Sequence, residues 1–122
     1  MALPNSDDSI LLLHNPKCSK SRETLALLED RGVAFETRLY LESPLDDAEL
    51  VDLGTRLGKD ILAFTRTKQA EFGAAGLTKD SDSGAVRAAM TSTPILMERP
   101  IVIRGARAAI GRPPEDVLAI LD

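Results

Sequence analysis

The chain has 122 residues, with 15 Lys and Arg against 19 Asp and Glu for a net charge of −4, one Cys, one His, one Tyr, three Phe and no Trp. That length suits one domain burying roughly two-thirds of its unfolded surface, and a single cysteine excludes an internal disulfide scaffold and makes a reducing cytoplasm the expected compartment. The acidic balance and the scarcity of aromatics argue against a nucleic-acid binder; "MALPNSDDS" lacks the pattern of a signal peptide, and "ILLL" (10–13), the longest apolar run, is far too short to span a membrane.

In chain order, "SILLLH" (9–14) reads as a buried central strand ending at the turn signal "NP". Residues 18–30, "CSKSRETLALLED", predict a helix with Leu25, Leu28 and the nearby Ala26 and Leu27 on its buried side, closed by "RG" at 31–32. "VAFETRLYL" (33–41) alternates as a strand, with Val33, Phe35, Thr37, Leu39 and Leu41 on one face. In 42–58, Leu50, Leu53 and Leu57 fall at helical spacing behind Ser43 or Asp46 as possible caps. Short helices are expected at 60–65, 67–73 and 82–91. "PIVI" (100–103) and "RAAIG" (107–111) predict a hairpin turning at "GAR" (105–107), and "PPEDVLAIL" (113–121) a closing helix with proline in its first turn.

These elements place Cys18 at a helix N-terminus. A lone cysteine is usually a small buried hydrophobe. Here, however, unpaired N–H groups and the helix dipole stabilise a thiolate. Ser19 and Ser21 can donate to it, and Lys17, Lys20 and Arg22 add positive potential. His14 reads either as a general base or as a strand-end residue that holds the loop together. Spacing excludes two other thiol chemistries: Arg22 comes too soon for a Cys-x5-Arg phosphatase loop, and position 21 is serine, so no Cys-x-x-Cys pair exists. One Cys and one His make zinc improbable, so no metal is expected. Whatever Cys18 attacks, a second thiol must come from outside to regenerate it. Because a negative chain binds a small anion only where cations are gathered, the placing of the arginines matters more than their number.

Five separated blocks, "HNPKCSKSRETL" (14–25), "LYLESP" (39–44), "RTK" (66–68), "PILMERPIV" (94–102) and "GRPPEDVL" (111–118), together resemble the glutaredoxin-coupled arsenate reductase family, most closely its short members that stop soon after the last helix. The resemblance implies an α/β, thioredoxin-like fold with a mixed four-stranded sheet: a βαβ unit, a helical insertion at about 45–93, and a ββα unit, in a single domain over 1–122. It implies Cys18 as nucleophile, His14 and Ser21 as the groups that lower its pKa, and Arg66, Arg99 and Arg112 as the binders of the oxyanion. Pro100 resembles the cis-proline that such folds set against the active thiol. Planar, forked guanidinium donors suit a tetrahedral oxyanion better than lysine does.

The activity implied is glutathione- and glutaredoxin-dependent reduction of arsenate to arsenite in a bacterial cytoplasm, by a monomer with no bound cofactor, with glutathione as reducing cosubstrate and with neither nucleic acid nor membrane as partner. The alternatives are a thioredoxin-like thiol oxidoreductase, acting on glutathionylated proteins or another oxyanion, and a regulatory protein of the same fold that binds RNA polymerase without turning over arsenate.

Overall fold

The computed structural model describes residues 3–121. The chain forms two compact units, one of Met1–Ser43 with Arg99–Asp122 and one of Pro44–Glu98.

The first unit is built on a four-stranded sheet of order β2-β1-β3-β4. Strand β1 (Ile10–His14) is the apolar run, and all five of its residues are buried. It pairs in parallel with β2 (Glu36–Leu39), Leu12 opposite Thr37, and antiparallel with β3 (Ile101–Arg104), Leu12 opposite Val102. Strand β4 (Arg107–Ile110) closes the hairpin on β3 across Gly105, whose φ of +57° is one that favours glycine. Helix α1 (Ser19–Asp30) crosses between the two parallel strands. One face of the sheet carries Ile10, Leu12 and Val102, which pack with Leu28 of α1 and with Val117 and Ile120 of the last helical segment. The mixed four-stranded sheet and its helices are the thioredoxin-like α/β architecture expected from the sequence.

Three local expectations need correction. Of the run 33–41 only Glu36–Leu39 joins the ladder, and its burial does not alternate as expected: Leu39 is exposed and Tyr40 is buried. As an edge strand β2 is paired on one side only, and the chain leaves it in a turn in which Glu42 N and Ser43 N both donate to Leu39 O. Ala26 of α1 is exposed, whereas Ser21 and Thr24 are buried. The closing segment Pro114–Ile120 is a 3-10 helix. Two prolines at its start remove N–H donors, and the Arg104 guanidinium donates to the carbonyls of Ile120 and Leu121, capping its end from outside.

The second unit is helical. Helix α2 (Asp47–Leu57) begins with a reciprocal capping box, Glu49 N to Asp46 Oδ1 at 2.8 Å and Asp46 N to Glu49 Oε1 at 3.1 Å, and ends at Gly58 with φ of +67°. A 3-10 turn (Ile61–Phe64), α3 (Ala70–Ala74), α4 (Ser83–Ser92) and a second 3-10 turn (Pro94–Leu96) follow. The unit buries Leu50, Leu53, Phe64, Val86, Met90 and Leu96. An isolated antiparallel bridge joins Thr65 to Met97.

Candidate active site

The sulfur sits where β1 hands over to α1. Asn15 and Pro16 turn the chain: Cys18 N donates to Asn15 O at 3.0 Å and Lys17 N to Asn15 Oδ1 at 3.0 Å. The Arg22 guanidinium reaches back to Pro16 O at 2.9 Å and ties the loop to the helix. Cys18 is then the N-cap of α1, with extended backbone (φ −98°, ψ 125°), and its carbonyl accepts from Arg22 N at 3.0 Å. Its side chain makes no capping hydrogen bond, so the first-turn N–H groups stay available to a charge on sulfur.

Beneath this loop lies a buried polar cluster. His14 Nδ1 and Ser21 Oγ share a hydrogen bond of 2.6 Å, and Asn15 N donates to the same oxygen at 3.0 Å. The His14 ring is held below its ordinary pKa of 6.5, by burial first and by the nearby Arg22 charge second, which keeps it neutral at pH 7. Among the described residues His14 is bonded to Ser21 and not to Cys18. The histidine therefore sets the loop through Ser21, which of the two readings open at the sequence level is the positioning one. The Ser21 hydroxyl is likewise engaged with His14 and Asn15, so it is the Ser21 backbone N–H that acts on the sulfur.

Cys18 is buried, with 9% of the residue exposed. Burial by itself pushes its pKa up, but the Ser21 backbone N–H, the Arg99 guanidinium by charge and by hydrogen bond, and the Lys20 backbone N–H together outweigh it and lower the pKa below the usual thiol range. Two guanidinium groups adjoin the sulfur. Arg112 Nη2 lies 3.7 Å from Cys18 Sγ, and Arg112 Nε is anchored on Arg99 O at 2.7 Å. Arg99 has Nε and Nη1 fully buried with no acceptor among the described residues. Buried donors without partners are a place prepared for lone pairs from elsewhere.

The backbone around Pro100 fixes both arginines. The peptide bonds Arg99–Pro100 and Arg112–Pro113 are cis, and Gly111 N donates to Pro100 O at 2.8 Å. A Cβ on Gly111 would stand 2.8 Å from Pro100 Cγ and 2.8 Å from Thr24 Oγ1, so only glycine allows this approach. Arg66 belongs to the second unit, just after the Thr65–Met97 bridge, with its backbone N donating to Leu96 O at 2.6 Å and its side chain partly buried. Cys18, His14, Ser21, Arg99 and Arg112 are thus gathered in the first unit.

Sequence reasoning passed over Asn15, Thr24 and Gly111. The "NP" turn signal pointed to Asn15, whereas nothing in the local pattern marks the close approach of Gly111 to Pro100 and Thr24.

Sheet order and a thiol at the mouth of α1 define a thioredoxin-like protein built round one activated cysteine. Comparison with known proteins narrows the class. Residues 13–120 match the ArsC family. The chain is 44% identical over 115 residues to an arsenate reductase of Haemophilus influenzae, covering 93% of this chain and 99% of that protein, and 42% identical over 114 residues to one of Neisseria meningitidis, covering 92% and 97%. The solved structure of an arsenate reductase from Vibrio cholerae superposes with a TM-score of 0.89 at 45% identity, covering 93% of this chain and 98% of that one. The chain belongs to the ArsC family.

Among the described residues no helix is long and apolar enough to cross a membrane.

Proposed function

We propose that the protein reduces arsenate to arsenite, with Cys18 as nucleophile and glutathione and glutaredoxin as external reductants in a reducing cytoplasm. The observation that carries this reading is the pair of buried, unpartnered Arg99 donors beside a sulfur already hydrogen-bonded by guanidinium. A tetrahedral oxyanion supplies the acceptors these donors lack, with Arg112 as a further ligand.

The reaction proceeds in three stages. Cys18 thiolate attacks arsenic, an S–As bond forms, and one arsenate oxygen leaves as water after protonation. Arsenic remains As(V) in this adduct. Glutathione thiolate then attacks the Cys18 sulfur, the S–As bond breaks with both electrons staying on arsenic, and arsenite departs as As(III) while Cys18 and glutathione become a mixed disulfide. Glutaredoxin thiol takes the glutathione and frees Cys18. The chain holds one cysteine, so the electrons come from these outside thiols. Arg99 and Arg112 stabilise the charge that accumulates on the oxygens in the first stage.

The test is arsenite formation by purified protein supplied with arsenate, glutathione and glutaredoxin. Turnover that disappears on omission of glutathione and in Cys18→Ser is the expected result. Absence of arsenite, or undiminished turnover by Cys18→Ser, contradicts the proposal.

A further inference from the structure

The residues around Cys18 are suited to a second electrophile, one that carries no charge. Cys18 is 9% exposed, so its sulfur lies against the protein's own groups and not in bulk solvent. Arg99 Nε and Nη1 are buried without acceptors. Arg112 Nη2 stands 3.7 Å from the sulfur and is held there by its own Nε on Arg99 O. Donors so placed act on any reaction in which negative charge moves from the sulfur to an oxygen next to it, because that oxygen gains charge within their reach. Cleavage of an O–O bond is such a reaction. It needs only the guanidinium groups of the first unit, since a neutral substrate gives no reason to gather further cations.

We propose that Cys18 also reduces small hydroperoxides, with Arg99 and Arg112 bonding the peroxide oxygens and a low-molecular-weight thiol of the glutathione type regenerating the cysteine. For hydrogen peroxide, the thiolate attacks one oxygen, an S–O bond forms, the O–O bond breaks, and hydroxide leaves; Cys18 becomes the sulfenic acid. The sulfur has lost two electrons and the peroxide has gained them. No second cysteine exists in the chain to capture this product, so an outside thiol attacks the sulfenic sulfur, releasing water and leaving a mixed disulfide. A second thiol then restores Cys18 and carries away the disulfide. The inference rests on the proposed arsenate reaction only for its external thiol and is measured in the absence of arsenate.

The full chain, reduced and free of arsenate, is mixed with hydrogen peroxide at pH 7, with Cys18 followed by a sulfenic-acid trap and mass spectrometry, and peroxide consumption followed in the presence of glutathione. Magnitude decides between donor assistance and mere ionisation. A free thiol of pKa about 8.5 is a few per cent thiolate at pH 7, so complete ionisation accelerates it by no more than about 30-fold. The expected rate constant exceeds that of free cysteine by more than this factor. It falls on the order of 10²-fold in Arg99→Ala, whose folding is checked by circular dichroism, and inorganic phosphate slows the wild-type reaction by occupying the same donors. A rate within about 30-fold of free cysteine, or indifference to phosphate, overturns the inference. Arsenate turnover without accelerated peroxide reduction overturns it too and leaves the proposed function standing, whereas peroxide reduction without arsenate turnover does the reverse.

Discussion

The two units of the chain are ordered by different means. In 44–98 the helix ends are set locally: Asp46 and Glu49 cap α2 reciprocally, Gly58 ends it, and Asp82 caps α4 by accepting from Gly84 N. A few longer-range bonds, such as the Thr65–Met97 bridge and Arg87 Nε to Asp47 Oδ1, tie the pieces together. In the unit that carries the thiol the decisive contacts are distant in sequence. Leu12 pairs with Val102, and Arg112 meets Cys18 across 94 positions. Local order makes helices, which bring together only residues three or four apart. A site that sets one sulfur among two guanidinium groups, a histidine and a hydroxyl needs the chain to return to itself, and the sheet provides that return.

Perturbations of the two units sharpen this contrast, beginning with the largest effect. Cys18→Ser is expected to reduce arsenate turnover on the order of 10⁴-fold or more, as loss of a nucleophile does, with the fold intact by circular dichroism. Arg99→Ala is expected to lower kcat/KM by about 10²- to 10³-fold and to raise the pH at which Cys18 alkylates, because it removes both the charge and the hydrogen bond that oppose burial. Leu12→Ala and Leu53→Ala, each at a fully buried position of its own unit, should each cost about 2–5 kcal/mol in urea unfolding. If the contrast between the units holds, only Leu12→Ala also depresses Cys18 reactivity under native conditions. Asp46→Ala should cost about 1 kcal/mol through loss of its cap and leave that reactivity unchanged.

The gentlest effect is on pH. His14 titrates lower in the folded protein than its ordinary value of 6.5, so the unfolded chain binds the extra proton first. The contribution is therefore fully present above pH 6.5 and is lost as pH falls below it toward the depressed folded value. Urea midpoints measured through that window should decline with falling pH in wild type and decline less in His14→Gln.

Legibility from sequence followed the same division. Helix α2 could be read because its leucine spacing and cap lie within one short window, and the hairpin because a glycine turn separates two apolar runs. The thiol's place at the start of α1 was readable for a similar reason, since an apolar run, an Asn-Pro turn and a helical pattern succeed one another. The edge strand was misread because its alternation is a property of the residues, whereas burial depends on which side of the sheet is covered. The carbonyls that end the last segment are met by Arg104, which lies ten or more positions upstream of it and so belongs to no local pattern. For Arg99 and Arg112 the composition gave no reason to choose them among other arginines; the resemblance of whole blocks did. Their guanidinium positions, the Gly111 approach to Pro100 and the capture of the Ser21 hydroxyl by His14 are facts of three-dimensional packing with no short-range pattern behind them.

The central claim is that Cys18 is a thiolate held by Arg99 and by the N–H groups of the first turn of α1. Its most direct test is the pH dependence of iodoacetamide alkylation at Cys18 in the wild-type chain, with and without arsenate. The expected result is a midpoint below the free-thiol value of about 8.5, with alkylation slowed when arsenate occupies the adjoining donors. A midpoint at or above that value, with arsenate making no difference, would contradict it.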